Sequence, residues 1–142
     1  MAFTGNYICT SFRRELLIAL HDFTNTTGSV FKLALYDNNA SFTANTTDYT
    51  ATNEVVGSGY SAGGATLTNV TPVSLGVKGI GDFSDLTFST VTISAYGALI
   101  YNSTAGTNAV CVLDFGRLIT RTATDLVITF PTADAINAII RV

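Results

Sequence analysis

The side chains that most often carry out chemistry in proteins are scarce in this sequence. His21 is the only histidine, and the two cysteines, Cys9 and Cys111, lack the paired spacing of a zinc site. A single histidine near a helix end is typical of a surface or capping position, and isolated cysteines are typical of buried free thiols. A disulfide between the two cysteines stays open at this point. These residues predict neither a catalytic imidazole nor a zinc site.

Other catalytic and metal-binding patterns are also weak. The glycine-rich stretch at 57–64 has neither the order of a nucleophile elbow nor the lysine of a phosphate-binding loop. Residues 37–39, Asp82 and Asp85 offer oxygen ligands for calcium, but without the spacing of an EF-hand, and such residues in turns mostly bond their own backbone. No pair of carboxylates marks a glycosidase cleft. We predict no catalytic residue, no metal, no cofactor and no enzymatic activity.

Charged residues are unusually few. The chain has seven Lys and Arg and ten Asp and Glu residues, which gives a formal net charge of −3. Because phosphate binding needs clustered Lys and Arg, this composition argues against a nucleic-acid partner. No apolar run is long enough to cross a bilayer and no secretory signal is visible, so neither a membrane nor export is expected. A charge-poor surface favours a protein that is packed against partners, including copies of itself.

One segment has helical periodicity. Residues 11–23 are predicted to form a helix that covers one face of the fold, with Thr10 or Ser11 at its start and Gly28 beyond its end. Its predicted buried face consists of four apolar residues: Phe12, Leu16, Leu20 and Phe23.

The rest of the chain has the pattern of β-strands at intervals of about ten residues. Residues 29–37 alternate between two faces, and Pro72 lies between the strand-like segments 64–70 and 72–78, so one of these is an edge strand or carries a bulge. With one helix and no linker or repeat, the sequence predicts an all-β fold. We expect an antiparallel, jelly-roll-like β-sandwich with one N-terminal α-helix, in a single domain over residues 1–142.

A long polar passage interrupts the strands. Residues 38–54 have no apolar period, and Phe42 and Tyr49 are their only large side chains. We expect this passage to run over the surface and the glycine-rich stretch after it to be a flexible connection.

Two apolar runs at 97–101 and 109–115 surround a small polar segment and predict a β-hairpin. The segment contains the sequon Asn102-Ser103-Thr104, but Asn, Ser and Thr are so abundant here that sequons arise by chance. The predicted loop, 102–108, is too long for a two-residue turn. It should project from the sheet, with Gly106 at positive φ.

Three stretches in a fixed order, residues 31–75, 97–116 and 128–142, resemble small virion structural proteins of tailed bacteriophages. The resemblance covers most of the chain from the helix onward and carries no catalytic signature. It implies a non-enzymatic structural role in the head or the tail, with the major capsid protein or other virion proteins as partners. Together with the charge-poor surface, it leads us to expect a decoration or cement protein that binds and stabilises the head. The alternative is a receptor- or glycan-binding module of the tail or a fibre.

Two groups of residues are the candidates for contacts. For a structural protein we expect Arg13 and Arg14 on the helix, and Ser103 and Thr104 in the hairpin loop, to face a neighbouring subunit. For a glycan-binding module we expect a concave patch in which a tyrosine lies beside Asp or Asn. The tyrosines considered for that patch are Tyr49, Tyr60, Tyr96 and Tyr101.

Overall fold

The computed structural model describes residues 3–134 and 136–142 and consists mainly of antiparallel strands. Its one helix in the described residues has 8 residues, and no helix there is long and apolar enough to span a bilayer. The elements in chain order are β1 (Tyr7–Ile8), α1 (Thr10–Leu17), β2 (Phe31–Tyr36), β3 (Ala65–Thr66), β4 (Asn69–Leu75), β5 (Lys78–Phe83), β6 (Leu86–Asn102), β7 (Asn108–Ile128) and β8 (Ile140–Arg141).

The strands form two antiparallel sheets that pack against each other. One has five strands in the order β1-β7-β6-β2-β3, and the other has three in the order β4-β5-β8. The chain changes sheet between β3 and β4, where the Leu67 N–H donates to the Phe31 carbonyl at 2.9 Å. The predicted all-β, sandwich-like fold with one N-terminal helix is confirmed.

An aromatic cluster joins the helix region to both sheets. The ring of Phe23 stacks on Phe31 with centroids 4.4 Å apart, and Phe83 of the second sheet meets Phe31 edge-on at 5.5 Å. Phe12 of α1 packs edge-on against Phe23, and Phe130 packs against Phe83. Since aromatic side chains bury large areas and pair with defined geometry, this cluster fixes how the layers meet.

The predicted hairpin is the end of a much longer one. β6 has 17 residues and β7 has 21, so segments that the sequence divided into several strands are continuous. The register between the two strands shifts at four bulges or irregularities, and at one of them residues 115–118 lie opposite Tyr96 alone. Beside this bulge a Cβ on Gly97 would lie 2.4 Å from the Phe3 ring, so only glycine fits there.

The expectation for Pro72 is confirmed. It lies in β4, which is an edge strand of the three-stranded sheet, and the register shifts between Val70 and Val73. Proline has no backbone N–H to donate, and an edge strand with a bulge does not need one at that position.

The helix ends at Leu17, so it is shorter than the predicted 11–23. The Leu20 N–H donates to the Glu15 carbonyl at 3.0 Å and the Ala19 N–H donates to the Leu16 carbonyl at 3.2 Å, which is the Schellman pattern. Ala19 takes the left-handed position of that motif with φ 58°. Gly28, the predicted end, is not needed for this role.

The burial of the helical face also differs in part from the prediction. Phe12 and Phe23 are buried as expected, whereas Leu16 and Leu20 are only partly buried. The turn after α1 takes Leu20 out of the helix, which accounts for the partial exposure of Leu20.

Ala19→Gly is expected to raise the free energy of unfolding by about 0.5 to 1 kcal/mol. The left-handed conformation costs an alanine about 1 to 2 kcal/mol, and glycine avoids that cost but loses more backbone entropy on folding. Urea unfolding of the two proteins measures the difference. Ala51→Gly, at an exposed residue without positive φ, is the control and should be neutral or destabilising. A less stable Ala19→Gly protein would contradict the cap.

Candidate functional site

The outward face of α1 combines basic and apolar side chains. Arg13 and Arg14 are exposed, as expected, and neither makes an ion pair or side-chain hydrogen bond within residues 3–134 and 136–142. Leu17 and Ile18 are 88% and 57% exposed, one helical turn further along. We call these four residues the helix surface.

A second exposed surface lies on the three-stranded sheet. The register pairs Val70 with Asp82 and Val73 with Ile80, and directly paired residues share a face. Phe83 points into the core, so Asp82 lies on the outer face together with Ile80, which is itself covered and only 2% exposed. Val73 is 53% exposed and Val70 is 38% exposed. We call Val70, Val73 and Asp82 the sheet surface.

The hairpin loop is held against the start of β2. The Ser103 hydroxyl donates to the Val30 carbonyl at 2.9 Å, and the Val30 N–H donates to the Thr104 hydroxyl oxygen at 2.7 Å. Gly106 has positive φ as predicted. The loop therefore does not project freely, which corrects the expectation from the sequence, because its hydroxyls are bonded within the chain. A contact role for Ser103 and Thr104 stays a prediction.

Asn102, the first residue of the sequon, is fully buried. Its Oδ1 accepts hydrogen bonds from the backbone N–H groups of Thr104 at 3.0 Å and Ala105 at 3.2 Å, so the amide orientation is fixed. A glycan on this side chain would require the loop to open. The sequon is part of the turn.

The fixed amide of Asn102 determines the tautomer of His21. Because Oδ1 is occupied, Nδ2 must donate to Nδ1 of His21 at 3.0 Å, and Nδ1 acts as the acceptor. The hydrogen of His21 then lies on Nε2, which donates to Glu15 Oε2 at 2.7 Å. The other oxygen of Glu15 accepts from Asn108 Nδ2 at 3.0 Å. This polar network ties α1 to both ends of the hairpin loop.

The prediction that His21 is a surface or capping residue is wrong. Its side chain is buried together with Glu15, and its ring packs 4.9 Å from the Phe12 ring. The only hint in the sequence was a glutamate, Glu15, six positions before the single histidine. The distance to Asn102 along the chain hid the rest of the network.

Tyr49 and Tyr60, two of the four tyrosines considered for a glycan site, converge on the buried Glu54. Their hydroxyls donate to the two oxygens of Glu54, each at 2.6 Å, and the Gly63 N–H donates to Oε1 at 2.7 Å. Tyr101 stacks on Tyr49 with centroids 4.7 Å apart. The tyrosines therefore lie beside a carboxylate, but their hydroxyls are used to hold it.

The polar passage runs over the surface as expected, since most of its residues are exposed or partly exposed, and this network anchors its end to the fold. Phe42 and Val55 are buried as well as Glu54, and the Val55 N–H donates to the Leu35 carbonyl at 3.0 Å. The glycine-rich stretch also packs tightly against β2, since a Cβ on Gly64 would collide with the Leu33 carbonyl. The sequence did not point to Glu54, because a single acidic residue followed by two valines forms no pattern that marks a buried carboxylate.

A cleft of about 450 Å³ lies beside Glu54. Arg121 lines it and is tied to the hairpin backbone, since its Nε donates to the Asp125 carbonyl at 3.1 Å. Asp37 also lines the cleft, and its Oδ1 accepts from the Asn39 N–H at 2.7 Å, the Asx-turn role expected of it. The remaining polar lining consists of hydroxyl side chains from the two long strands: Thr92, Ser94, Thr120 and Thr122.

Both cysteines are buried and free. Burial is the main cause that raises the pKa of the Cys9 thiol from 9.0 to about 11, and it also raises the pKa of Cys111. Such thiols are poor nucleophiles near neutral pH, which fits the prediction of buried thiols. Among the described residues, no group of three or more His, Cys, Asp or Glu side chains could hold a metal ion.

Stability is expected to fall as the pH rises above about 9 to 10. Burial raises the pKa of Cys9 above 9.0 and those of Tyr49 and Tyr60 above 10.0. The unfolded chain therefore releases these protons at lower pH than the folded chain, so the stabilisation is complete below pH 9 and is lost as the pH increases. Urea unfolding at pH 8, 10 and 11 measures the slope. A free energy of unfolding that is constant over this range would contradict the burial of these groups.

No family model, curated protein sequence or solved structure matches the chain.

Proposed function

We propose that the protein is a non-enzymatic structural component of a tailed-phage virion, made in the host cytoplasm, that binds the capsid surface and stabilises the head. One observation carries this proposal: several exposed aliphatic side chains lie on the helix surface and around the three-stranded sheet of a charge-poor domain. Besides the helix surface and the sheet surface, Val77 and Val142 are 99% and 67% exposed near the three-stranded sheet. Grouped apolar residues on a surface are typical of interaction sites.

The arrangement of the buried ionisable side chains supports the same proposal. Glu15, His21 and Glu54 all lie in the interior, where their polar atoms are bonded to donors and acceptors of the chain itself. These side chains hold loops in place. Glu54 anchors the polar passage, and Glu15 and His21 bind the asparagines at the two ends of the hairpin loop. The chain thus uses its few buried ionisable side chains to fix its shape, which suits a protein whose function is to present rigid surfaces.

Labelling of purified virions with an antibody against the chain tests the proposal. We expect the label on the head, and we expect heads without the protein to lose their DNA at a lower temperature. Label confined to the tail would replace the proposal with the tail alternative. Absence of the protein from virions would overturn both.

A receptor- or glycan-binding module of the tail is the second candidate, and the hydroxyl-lined cleft is the observation that favours it. Asp37 and Arg121 lie there among hydroxyl groups that suit the hydroxyls of a sugar. Screening on a glycan array would support this function if a signal were lost in Thr122→Val. An array without signal would exclude the sugars that it displays.

A further inference from the structure

The hydrogen bonds around His21 fit only one protonation state of its ring. The Oδ1 atom of Asn102 accepts from the backbone N–H groups of Thr104 and Ala105, so the Nδ2–H group of Asn102 faces Nδ1 of His21 at 3.0 Å. Nδ1 must therefore carry a lone pair, and the single ring hydrogen lies on Nε2. The closed hairpin loop thus requires a neutral His21.

Glu15 has the opposite effect on the ring. Its Oε2 accepts from Nε2 of His21 at 2.7 Å and its Oε1 accepts from Nδ2 of Asn108 at 3.0 Å, so both oxygens act as acceptors and the side chain is a buried carboxylate. Burial and then the charge of Glu15 raise the pKa of the Cys9 thiol to about 11. A carboxylate in contact with an imidazole favours the imidazolium. Glu15 therefore attracts a second proton to the ring, and the Asn102 amide opposes it.

No other ionisable side chain in the described part of the chain is hydrogen-bonded to His21. The carboxylate of the adjacent Asp22 is turned to Thr24, where its Oδ1 accepts from the backbone N–H at 2.9 Å and from the hydroxyl at 2.6 Å. Arg13 and Arg14 lie in solvent on the outer side of α1. The ring otherwise packs against two aromatic side chains, Phe12 and Phe31. Its protonation is therefore controlled by the carboxylate at one nitrogen and the amide at the other.

We propose that protonation of His21 opens the hairpin loop at 102–108, so that the loop is a pH-sensitive switch. A hydrogen on Nδ1 would face the Nδ2–H group of Asn102, and two donors repel each other. The amide must then turn, and the N–H groups of Thr104 and Ala105 lose their acceptor. Because histidine changes charge between pH 5 and 8, the switch acts in mildly acidic solution. This inference goes beyond attachment to the capsid and does not depend on it.

The switch also controls the two hydroxyl groups predicted for contacts. In the closed loop, the hydroxyls of Ser103 and Thr104 are bonded to the Val30 backbone at 2.9 and 2.7 Å. Both bonds depend on the shape of the turn that Asn102 holds together. Once the amide of Asn102 turns, these hydroxyls are released from the chain and can bind a partner.

Nuclear magnetic resonance of the ¹⁵N-labelled full chain tests the proposal. His21 is the only histidine, so signals from its ring nitrogens are assigned without ambiguity. At about pH 7.5 we expect a hydrogen on Nε2 alone. As the pH is lowered to about 5, we expect a second hydrogen on Nδ1. With the same midpoint, the amides of Thr104 and Ala105 should lose at least tenfold in protection from hydrogen exchange, relative to an unstructured chain at the same pH. The Val55 amide, bonded to the Leu35 carbonyl at 3.0 Å, is the internal control and should keep its protection.

Asn102→Asp is the matched variant. One carboxylate oxygen can still accept from Thr104 and Ala105, while the other accepts a hydrogen from Nδ1 of His21. We expect both ring nitrogens of this variant to carry hydrogens already at about pH 7.5, and we expect the loop to be equally protected at both pH values. His21→Gln cannot titrate and should also give a loop whose protection is independent of pH. Circular dichroism shows whether each variant is folded, and the measurements on the parent are decisive without them.

Four outcomes would overturn the inference. Hydrogens on both ring nitrogens of the parent at about pH 7.5, with the loop closed, would show that the site accepts the cation. A ring that stays neutral at about pH 5 would show that there is no switch. A second ring hydrogen without loss of protection at Thr104 and Ala105 would separate the ring from the loop. A folded Asn102→Asp protein that responds to pH as the parent does would exclude the amide as the cause. None of these outcomes bears on attachment to the capsid, which the virion experiment measures separately.

Discussion

Phe31→Ala is expected to lower the free energy of unfolding by about 3 to 5 kcal/mol. Phe31 is fully buried, stacks on Phe23 at 4.4 Å and meets Phe83 edge-on at 5.5 Å. Alanine would leave a cavity where the helix region and both sheets meet. Collapse around that cavity is difficult, because its walls belong to three separate parts of the fold and are held by their own hydrogen bonds.

Urea unfolding measures this loss, and two variants control for it. Phe31→Leu retains most of the apolar volume and should cost markedly less than Phe31→Ala. Val127→Ala removes an apolar side chain that is 53% exposed and should change stability by no more than about 0.5 kcal/mol. A loss below about 1 kcal/mol for Phe31→Ala would show that the aromatic cluster does not join the layers.

Glu54→Ala is expected to cost at least about 3 kcal/mol, the second largest effect. The carboxylate accepts hydrogen bonds from the hydroxyls of Tyr49 and Tyr60 and from the Gly63 N–H, all between 2.6 and 2.7 Å. Alanine would leave these three donors without an acceptor in the chain, and only water from the adjacent cleft could replace the carboxylate. The polar passage would also lose the anchor that holds it to the first sheet.

Glu54→Gln separates the hydrogen bonds from the side-chain volume. The amide oxygen can still accept from Gly63, and a tyrosine hydroxyl can rotate to accept from the amide nitrogen, so this variant should lose less than half as much stability as Glu54→Ala. Absorbance at 295 nm, which follows tyrosinate, should show Tyr49 and Tyr60 ionising at lower pH than in the parent, because Glu54 contributes to their raised pKa values.

Asp48→Asn, at an exposed carboxylate, should change neither stability nor the tyrosine titration. Equal stability of Glu54→Ala and the parent would contradict an anchoring role for Glu54.

Features that depend on neighbouring residues were predictable from the sequence alone. The apolar runs around residues 102–108 identified the hairpin, and Pro72 indicated an edge strand or a bulge. Scarcity of charge pointed to exposed uncharged surfaces, and Arg13 and Arg14 were correctly placed in solvent. These predictions succeed because turn geometry, strand alternation and the missing N–H of proline act over a few residues.

The tertiary structure alone decided where the chain's polar side chains are satisfied. His21 and Asn102 are 81 positions apart, yet their hydrogen bond places a histidine in the interior and turns a sequon into part of a loop. The same network accompanies the end of α1 at Leu17, because His21 must fold back to reach Glu15. Glu54 likewise becomes an anchor only through its hydrogen bonds to two tyrosines and a glycine, which come together only when the polar passage packs on the first sheet. Burial of a polar group is favourable only when every partner is present at once, and no local pattern in the sequence records that condition.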